Sequence, residues 1–270
     1  MIGQHGGVPV DVIDLDHVAV AAERLDDLWP RYAGDLGGTW LGGSESPGFR
    51  FAQVQFTNGM KVEGLEPLRP EEHDFLRRFL DASGPGPHHC TFKVPDIVAA
   101  IDSAAAHGFH AINVDLSDPD WKQAFLHPKT AGGIVIQLAQ SNGDSEPEAR
   151  PATVPPPRTK PATLDRIVHL VADLDTTRRL FVTVLGGIAE HGNAATGFDV
   201  RWPGGGTLTI TRPTNDAETN WLGGRPGRLH HLAFTVDEPA AIEHATRRPD
   251  GHYEIAPEHN LGTRLVLRSA

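Results

Sequence analysis

The chain has 270 residues, of which 39% are hydrophobic, enough for one large or two ordinary soluble domains with a sizeable core. Its formal net charge of -11 argues against nucleic acid or an anionic membrane as a partner. Cys90 is the only cysteine, which excludes an internal disulfide framework and favours a reducing compartment. No apolar run reaches the length of a membrane span, and residues 1–8 lack the pattern of a signal peptide, so we expect a cytoplasmic protein.

Alternating apolar and polar residues predict the strands of the first unit. A strand over 11–21 places His17 on the face opposite its valines. A helix over 23–36 is predicted to end at Gly37–Gly38. The following strands are predicted over 39–41, 49–56 and 60–65, with a hairpin turn at Asn58–Gly59. This order predicts a β-α-β-β-β unit.

A pair of histidines opens the second unit. It follows a connector with a short helix over 71–80, and its first strand, 88–94, places His89 on a polar face. His88 shares the other face with Cys90, so we expect it to be buried and hydrogen-bonded. The remaining elements are a helix over 97–107, a strand over 121–126, a turn at 127–130 and a strand over 133–139.

The second half repeats this plan after a proline-rich linker at 141–162. The histidine pair returns as His230–His231. Strands are predicted over 164–171, 199–202, 207–211, 230–236 and 263–267, and helices over 176–185 and 240–247. The sequence therefore predicts an α+β protein of four tandem βαβββ units, with domains at 10–140 and 163–270.

Several stretches of the first half together resemble a known family. They are Asp16–Val20 (DHVAV), Lys61–Glu63 (KVE), Gly86–Cys90 (GPHHC), Phe125–Lys129 (FLHPK) and Ile134–Leu138 (IVIQL). In this order and spacing they resemble the vicinal oxygen chelate superfamily, also called the glyoxalase/extradiol dioxygenase fold, and within it the methylmalonyl-CoA epimerases. The resemblance covers about residues 14–140. It implies two glyoxalase-like, cupped-sheet domains, each a pair of βαβββ units, and one divalent metal ion in the first.

The resemblance implies four metal ligands, which are His17, Glu63, His89 and Gln137. The alternation agrees, because His17, His89 and Gln137 lie opposite the apolar residues of their strands. Imidazole and carboxylate ligands suit divalent Co, Mn, Ni, Fe or Zn, and an amide oxygen can be a weaker ligand. A single strand histidine is more often structural, so the prediction depends on the match of all four positions.

Amides at two positions separate this sequence from the epimerases. Gln137 stands where the family usually has glutamate, and Gln53 stands where epimerases have a second carboxylate. An amide does not accept a proton from carbon near neutral pH, so Gln53 and Gln55, on the same face, are predicted to line the substrate. Proton transfer is then not required, or is left to His88, His127 or Lys129.

The second half is predicted to be a metal-free copy. At the equivalent positions it has Arg166, Thr209, His231 and either Leu267 or Arg268, because the alignment slips by one residue. Only one ligand type survives, so we expect this half to serve packing, to cover the cup or to contact the substrate.

These features predict a metal-dependent enzyme that acts on a small carbonyl or acyl-thioester substrate through a metal-stabilised enolate, of isomerase/epimerase or lyase type. Extradiol ring cleavage is an alternative, although dioxygenases of this fold take their carboxylate from the eighth strand, not the fourth. A protein that sequesters a small molecule without turnover is another, favoured by the two amides and the degenerate half. We expect a monomer or homodimer with no nucleic-acid or membrane partner.

Overall fold

The protein, described by a computed structural model over residues 12–142, 147–190, 192 and 195–270, forms two eight-stranded sheets. The first contains β1 (Asp14–Ala21), β2 (Thr39–Ser46), β3 (Phe49–Gln55), β4 (Lys61–Pro67), β5 (Gly86–Lys93), β6 (Ala111–Asp115), β7 (Trp121–Leu126) and β8 (Val135–Ser141). The second contains β9 (Thr163–Val171), β10 (Ile188–Glu190), β11 (Gly197–Arg201), β12 (Thr207–Thr211), β13 (Gly227–Val236), β14 (Thr246–Arg247), β15 (Tyr253–Ile255) and β16 (Leu265–Ser269). The α-helices of the described ranges are α1 (Phe75–Ser83), α2 (Ile97–Ala106), α3 (Leu174–Arg178) and α4 (Asp216–Leu222).

The two sheets have the same topology. In the first the order is β2-β3-β4-β1-β5-β8-β7-β6, and β1 pairs parallel with β4 and antiparallel with β5. In the second the order is β10-β11-β12-β9-β13-β16-β15-β14, with the equivalent pairings around β9. The predicted α+β class with two glyoxalase-like sheets is confirmed.

Alternation along the strands gives the first sheet two distinct faces. Val18, Val62 and Phe92 belong to a core that continues into the second half, where Phe92 contacts Trp202 with 5.0 Å between ring centroids. On the opposite face, here called the cup face, Ala19 belongs to a separate apolar cluster with residues of α1. The two halves therefore share one core, and the polar residues of the first sheet lie on the face away from it.

The predicted helix over 23–36 is wrong in type and extent. The chain instead makes a 3-10 turn at Leu25–Asp27 and a π-helical segment at Pro30–Asp35. Pro30 has no N–H to donate to the preceding turn, which prevents a continuous α-helix.

The predicted helix over 240–247 is also wrong. This stretch forms a 3-10 turn at Pro239–Ala241 and then β14. Glu238 makes no capping hydrogen bond, and His244 has a φ of 64°, which an α-helix does not accommodate. By contrast, the Asp96 side chain caps α2 by accepting hydrogen bonds from two backbone N–H groups.

Other elements differ in extent or were not predicted. The helix predicted over 71–80 begins later, as α1, and the one over 176–185 is α3 followed by a π-helical segment at Arg179–Val184. The elements β6, β10, β15 and α4 are not predicted from the sequence. Residues 10, 11, 143–146, 191, 193 and 194, which the predicted domains, first strand and linker include, lie outside the described residues. No helix of the described part is long and apolar enough to cross a membrane.

A β-bulge changes the face predicted for His88. Two successive residues of β1 pair with His89 and Pro87, so His88 is an extra residue in β5. Its ring contacts Phe79 of α1, with 4.7 Å between centroids. His88 therefore lies on the cup side and not on the apolar face with Cys90, as the alternation predicted.

Candidate metal centre

Three neighbouring strands bring His17, Glu63 and His89, here called the triad, together on the cup face of the first sheet. β1 lies between β4 and β5, and Ala19 of β1 pairs with Glu63 on one side and with His89 on the other. His17 lies two residues before Ala19 and therefore on the same face. Because Ala19 adds only a methyl group, the three longer side chains can meet above it.

The potential ligand atoms of these residues lie within 4.8 Å of one another. His17 Nε2 is 3.5 Å and His89 Nε2 is 3.9 Å from Glu63 Oε1. The three residues are only 2%, 5% and 7% exposed for His17, His89 and Glu63. Neither Nε2 atom has a hydrogen-bond partner among the described residues. A buried polar atom without a partner costs about 1–3 kcal/mol, and a cation would satisfy both nitrogens, so the residues fit a divalent metal ion.

Asp16 holds the His17 ring from outside the triad. Its Oδ2 accepts a hydrogen bond from His17 Nδ1 at 2.7 Å, and its Oδ1 accepts one from Lys61 Nζ at 2.6 Å. Burial opposes ionisation of Asp16, but the hydrogen bond with His17 and the charge of Lys61 hold its pKa well below the usual range. Since Nδ1 is engaged by Asp16, Nε2 is the nitrogen that His17 presents to Glu63. Carboxylate–histidine pairs of this kind orient metal ligands.

The two histidines of the triad have opposite protonation states. Burial lowers the pKa of His17, but the carboxylates of Glu63 and Asp16 outweigh it and raise the pKa to about 9. Burial, reinforced by the neighbouring histidines, lowers the pKa of His89 well below its usual range. Without a cation, His17 is therefore protonated at neutral pH while His89 is a neutral imidazole.

Gln53 contacts a member of the triad directly, whereas Gln137 contacts residues beside it. Gln53 Nε2 donates to Glu63 Oε2 at 2.8 Å. Gln137 Oε1 accepts from Thr91 Oγ1 at 2.6 Å, and Gln137 Nε2 donates to Gln123 Oε1 at 2.9 Å. Gln53 thus orients the carboxylate ligand, whereas the Gln137 amide is held on both sides.

His88 contacts the triad through His89. The Nδ1 atoms of His88 and His89 are 2.8 Å apart, so one donates a hydrogen bond to the other. Burial lowers the pKa of His88 to about 4, against a smaller opposing effect of Glu63. His88 is therefore neutral at pH 7.

The other predicted site residues are not brought to the triad. His127 and Lys129 are exposed in the turn after β7, where His127 Nδ1 accepts from the backbone N–H of Lys129. Lys129 faces a shallow crevice that it shares with Asp173 and Thr176 of the second half. Gln55 donates to the Gly59 carbonyl in the hairpin turn.

Helix α1 forms an apolar wall beside the triad. Its Leu76 and Leu80 are buried in one cluster with Ala19, and Phe75 and Phe79 pack against that cluster. Because α1 lies on the cup face, it removes water from one side of the site.

Strand register identifies the equivalent residues of the second half. Thr209 pairs with Val168 as Glu63 pairs with Ala19, which confirms Arg166 and Thr209 as equivalents of His17 and Glu63. Ala233 pairs with Val266 as Thr91 pairs with Gln137. The predicted equivalents of Gln137, Leu267 or Arg268, are therefore wrong, because the start of β16 shifts the register that the sequence alignment assumed.

Asp16, Thr91 and Gln123 were missed as supporting residues. Asp16 precedes His17 directly and stands within the stretch that carries the family resemblance. A carboxylate next to a candidate histidine ligand is the signal that could have identified it. Thr91 and Gln123 carry no comparable signal, because only strand pairing brings them to Gln137.

The first half of the chain is similar to known proteins. Residues 16–125 match the model of the Glyoxalase/Bleomycin resistance protein/Dioxygenase superfamily. The uncharacterized protein YqjC of Bacillus subtilis (strain 168) is 26% identical over 143 residues, which are 50% of this chain and 96% of that protein.

Two solved structures are also similar to parts or to most of this chain. Methylmalonyl-CoA epimerase from Mycobacterium tuberculosis is similar with a TM-score of 0.44 and 24% identity, over 51% of this chain and 94% of that chain. A variant of 4-hydroxymandelate synthase from Streptomyces coelicolor is similar with a TM-score of 0.63 and 15% identity, over 96% of this chain and 93% of that chain. The second likeness spans both halves and establishes the fold of the whole chain.

Proposed function

We propose that this chain, whose residues 16–125 match the model of the glyoxalase/bleomycin resistance protein/dioxygenase superfamily, is a divalent-metal-dependent enzyme of that superfamily. Its substrate would be a small carbonyl compound or acyl thioester, and its reaction of isomerase/epimerase or lyase type. The observation that carries the proposal is the buried triad of His17, Glu63 and His89, in which neither Nε2 atom has a hydrogen-bond partner among the described residues.

A bound cation would supply Lewis acidity that polarises a substrate carbonyl and stabilises negative charge on its oxygen. The chain's own residues prepare the ligands for it. Asp16 holds His17 with Nε2 toward the site, and Gln53 orients Glu63. If His89 binds through Nε2, its Nδ1 carries the proton and donates to His88 Nδ1. His88 is therefore a positioning residue in this proposal, and α1 excludes water.

Metal content tests the proposal. We expect about one divalent metal ion per untagged chain by mass spectrometry after incubation with Co(II) or Mn(II), and loss of the ion in His89→Ala and Glu63→Ala. His127→Ala, which removes an exposed histidine, serves as the matched control and should retain the ion. Metal-free protein after this incubation would refute the proposed mechanism.

The reaction type is tested by hydrogen exchange at carbon. An enzyme that stabilises charge on a carbonyl oxygen should exchange the adjacent C–H of acyl-CoA thioesters or α-keto acids for deuterium in D2O, detected by NMR. The exchange should require the metal and be lost in Glu63→Ala. Metal-loaded protein that exchanges none of these compounds would contradict the isomerase or lyase assignment.

Extradiol ring cleavage is a second candidate function. One observation favours it, because the triad offers two histidines and one carboxylate, a set that holds Fe(II) with open positions, and both nearby amides, Gln53 and Gln137, lack a titratable group. Oxygen uptake by the Fe(II)-loaded protein with catechols would support this candidate. Saturable ligand binding with neither oxygen uptake nor exchange would favour sequestration.

A further inference from the structure

The cup face of the second sheet carries an ion-pair network where the first sheet carries the triad. Asp199 pairs with Thr209 as Gln53 pairs with Glu63. Thr209 Oγ1 donates to Asp199 Oδ1 at 2.6 Å, and Arg166 Nη1 lies 3.4 Å from Asp199 Oδ2. The guanidinium group of Arg166 therefore lies on the second cup face at the position that His17 has on the first.

Arg264 and Arg268 share the cup face with His231, because each lies two residues from Val266, which pairs with Ala233, two residues after His231. Burial, together with the charges of the adjacent histidine and of Arg248, Arg264 and Arg268, lowers the pKa of His231 well below its usual range. Glu254 accepts one hydrogen bond from Arg248 and one from Arg264, each at 2.7 Å. Arg268 has no ion pair and no side-chain hydrogen bond within the described residues.

The guanidinium groups of this cup outnumber the carboxylates that pair with them. Arg166 pairs with Asp199, Arg264 with Glu254, and Arg248 with both Glu254 and Asp250, whereas Arg268 has no ion pair within the described residues. The Nε atoms of Arg166, Arg264 and Arg268 are buried and have no hydrogen-bond partner among the described residues.

Two of these guanidinium groups are partly accessible from solvent. The side chains of Arg166 and Arg264 are 31% and 23% exposed, so a small molecule can reach them. A guanidinium group donates two parallel hydrogen bonds to a carboxylate or phosphate, so an oxyanion matches these groups in both charge and geometry.

We propose that the second cup binds a small oxyanion, a carboxylate or phosphate group, between Arg166, Arg264 and Arg268. The half of the chain that lacks the metal triad is then a second ligand site and does more than pack against the first half.

Calorimetric titration of the full chain with inorganic phosphate and, separately, with malonate tests this proposal. The protein is first stripped with EDTA and kept at constant ionic strength, so the result does not depend on the metal centre. We expect saturable binding of at least one anion, weakened about tenfold or more in Arg268→Gln and in Arg264→Gln. The tighter of the two anions identifies the phosphate or carboxylate class.

Arg247→Gln is the matched control. Arg247 is exposed and pairs with Tyr253, so it lies on the face of β14 and β15 opposite Glu254, and its replacement should leave binding unchanged. Circular dichroism and thermal unfolding establish that each variant is folded. Absence of saturable binding of both anions, or equal affinity in the folded wild-type, Arg268→Gln and Arg264→Gln proteins, would overturn the proposal.

Discussion

His17 links metal binding to the release of a proton. In the metal-free protein its imidazolium is stabilised between the carboxylates of Glu63 and Asp16, although the ring is buried. A cation at Nε2 requires the neutral ring, so the proton and the cation compete for the same electron pair.

We therefore expect about one proton to be released per divalent ion bound at pH 7.5, because the His17 pKa is about 9. Metal affinity should rise with pH up to about pH 9, by up to about tenfold per unit. Calorimetry in two buffers of different ionisation enthalpy measures the proton count. Asp16→Asn removes one carboxylate, lowers the His17 pKa and should reduce the count, and a count near zero in the wild-type protein would contradict this role of His17.

The residues of the site were predictable only where they belong to a pattern. His17, Glu63 and His89 lie on strands that the residue pattern predicts and within the stretches that carry the family resemblance, so the sequence was enough to group them. The cup-side position of His88 was not predictable, because one extra residue in β5 reverses the alternation. The hydrogen bond between Gln53 and Glu63 depends on strand register, which the sequence does not fix.

Among the elements, the turn before β8 and the start of β13 make a close contact between the two halves. A Cβ atom at Gly227 would overlap the carbonyl oxygen of Gly132, and one at Gly133 would overlap the backbone of Gly227. His169 of β9 completes the contact, since its Nε2 donates to the Gly132 carbonyl at 2.7 Å. Backbone packs on backbone here, so only glycine fits.

We expect Gly227→Ala to lower the free energy of unfolding by about 2–4 kcal/mol, because the backbone of the facing turn must move. Urea unfolding measures this loss. Gly108→Ala is the control for the added methyl group, because its Cβ would meet nothing within 4 Å, although its φ of 86°, unlike the backbone of Gly227, lies in the left-handed region and adds strain. The control should lose about 1–2 kcal/mol from backbone strain alone, and an equal loss in both variants would show that the contact is adaptable.

The strands were more predictable than the helices, for a physical reason. β7 and β12 have the predicted bounds, and the strict alternation of β12, TLTIT, has few other interpretations. The helical segments are short and depend on caps and on single residues such as Pro30 and His244, which interrupt them locally. α4 was missed because seven residues provide too little periodicity to separate a helix from a loop.

At the scale of the whole molecule, buried neutral histidines make the fold sensitive to acid. Burial lowers the pKa of His169 to about 4, against a hydrogen bond to Gly132 that raises it, and burial also lowers the pKa of His230 to about 4. In the unfolded chain these groups titrate near 6.5. The unfolded state therefore gains protons first as the pH falls, and stability that is complete above pH 6.5 is lost progressively toward pH 4.

For His169 alone this difference corresponds to about 3 kcal/mol lost between pH 6.5 and pH 4. We expect His169→Gln to be less stable than the wild-type protein at pH 7.5 but to show a shallower loss on acidification. Urea unfolding at several pH values measures both, with His127→Gln as the exposed control. A His169→Gln profile parallel to that of the wild-type protein would contradict the assignment.

The matching register of the two sheets has a consequence for engineering. The second half keeps the backbone frame of a site whose side chains it does not have, and His231 already stands in place of His89. Grafting Arg166→His, Thr209→Glu and Val168→Ala would copy the triad and the small residue between its members. We expect metal stoichiometry to rise from about one to about two ions per chain, and a folded triple variant that still binds one would show that strand register alone does not recreate the centre.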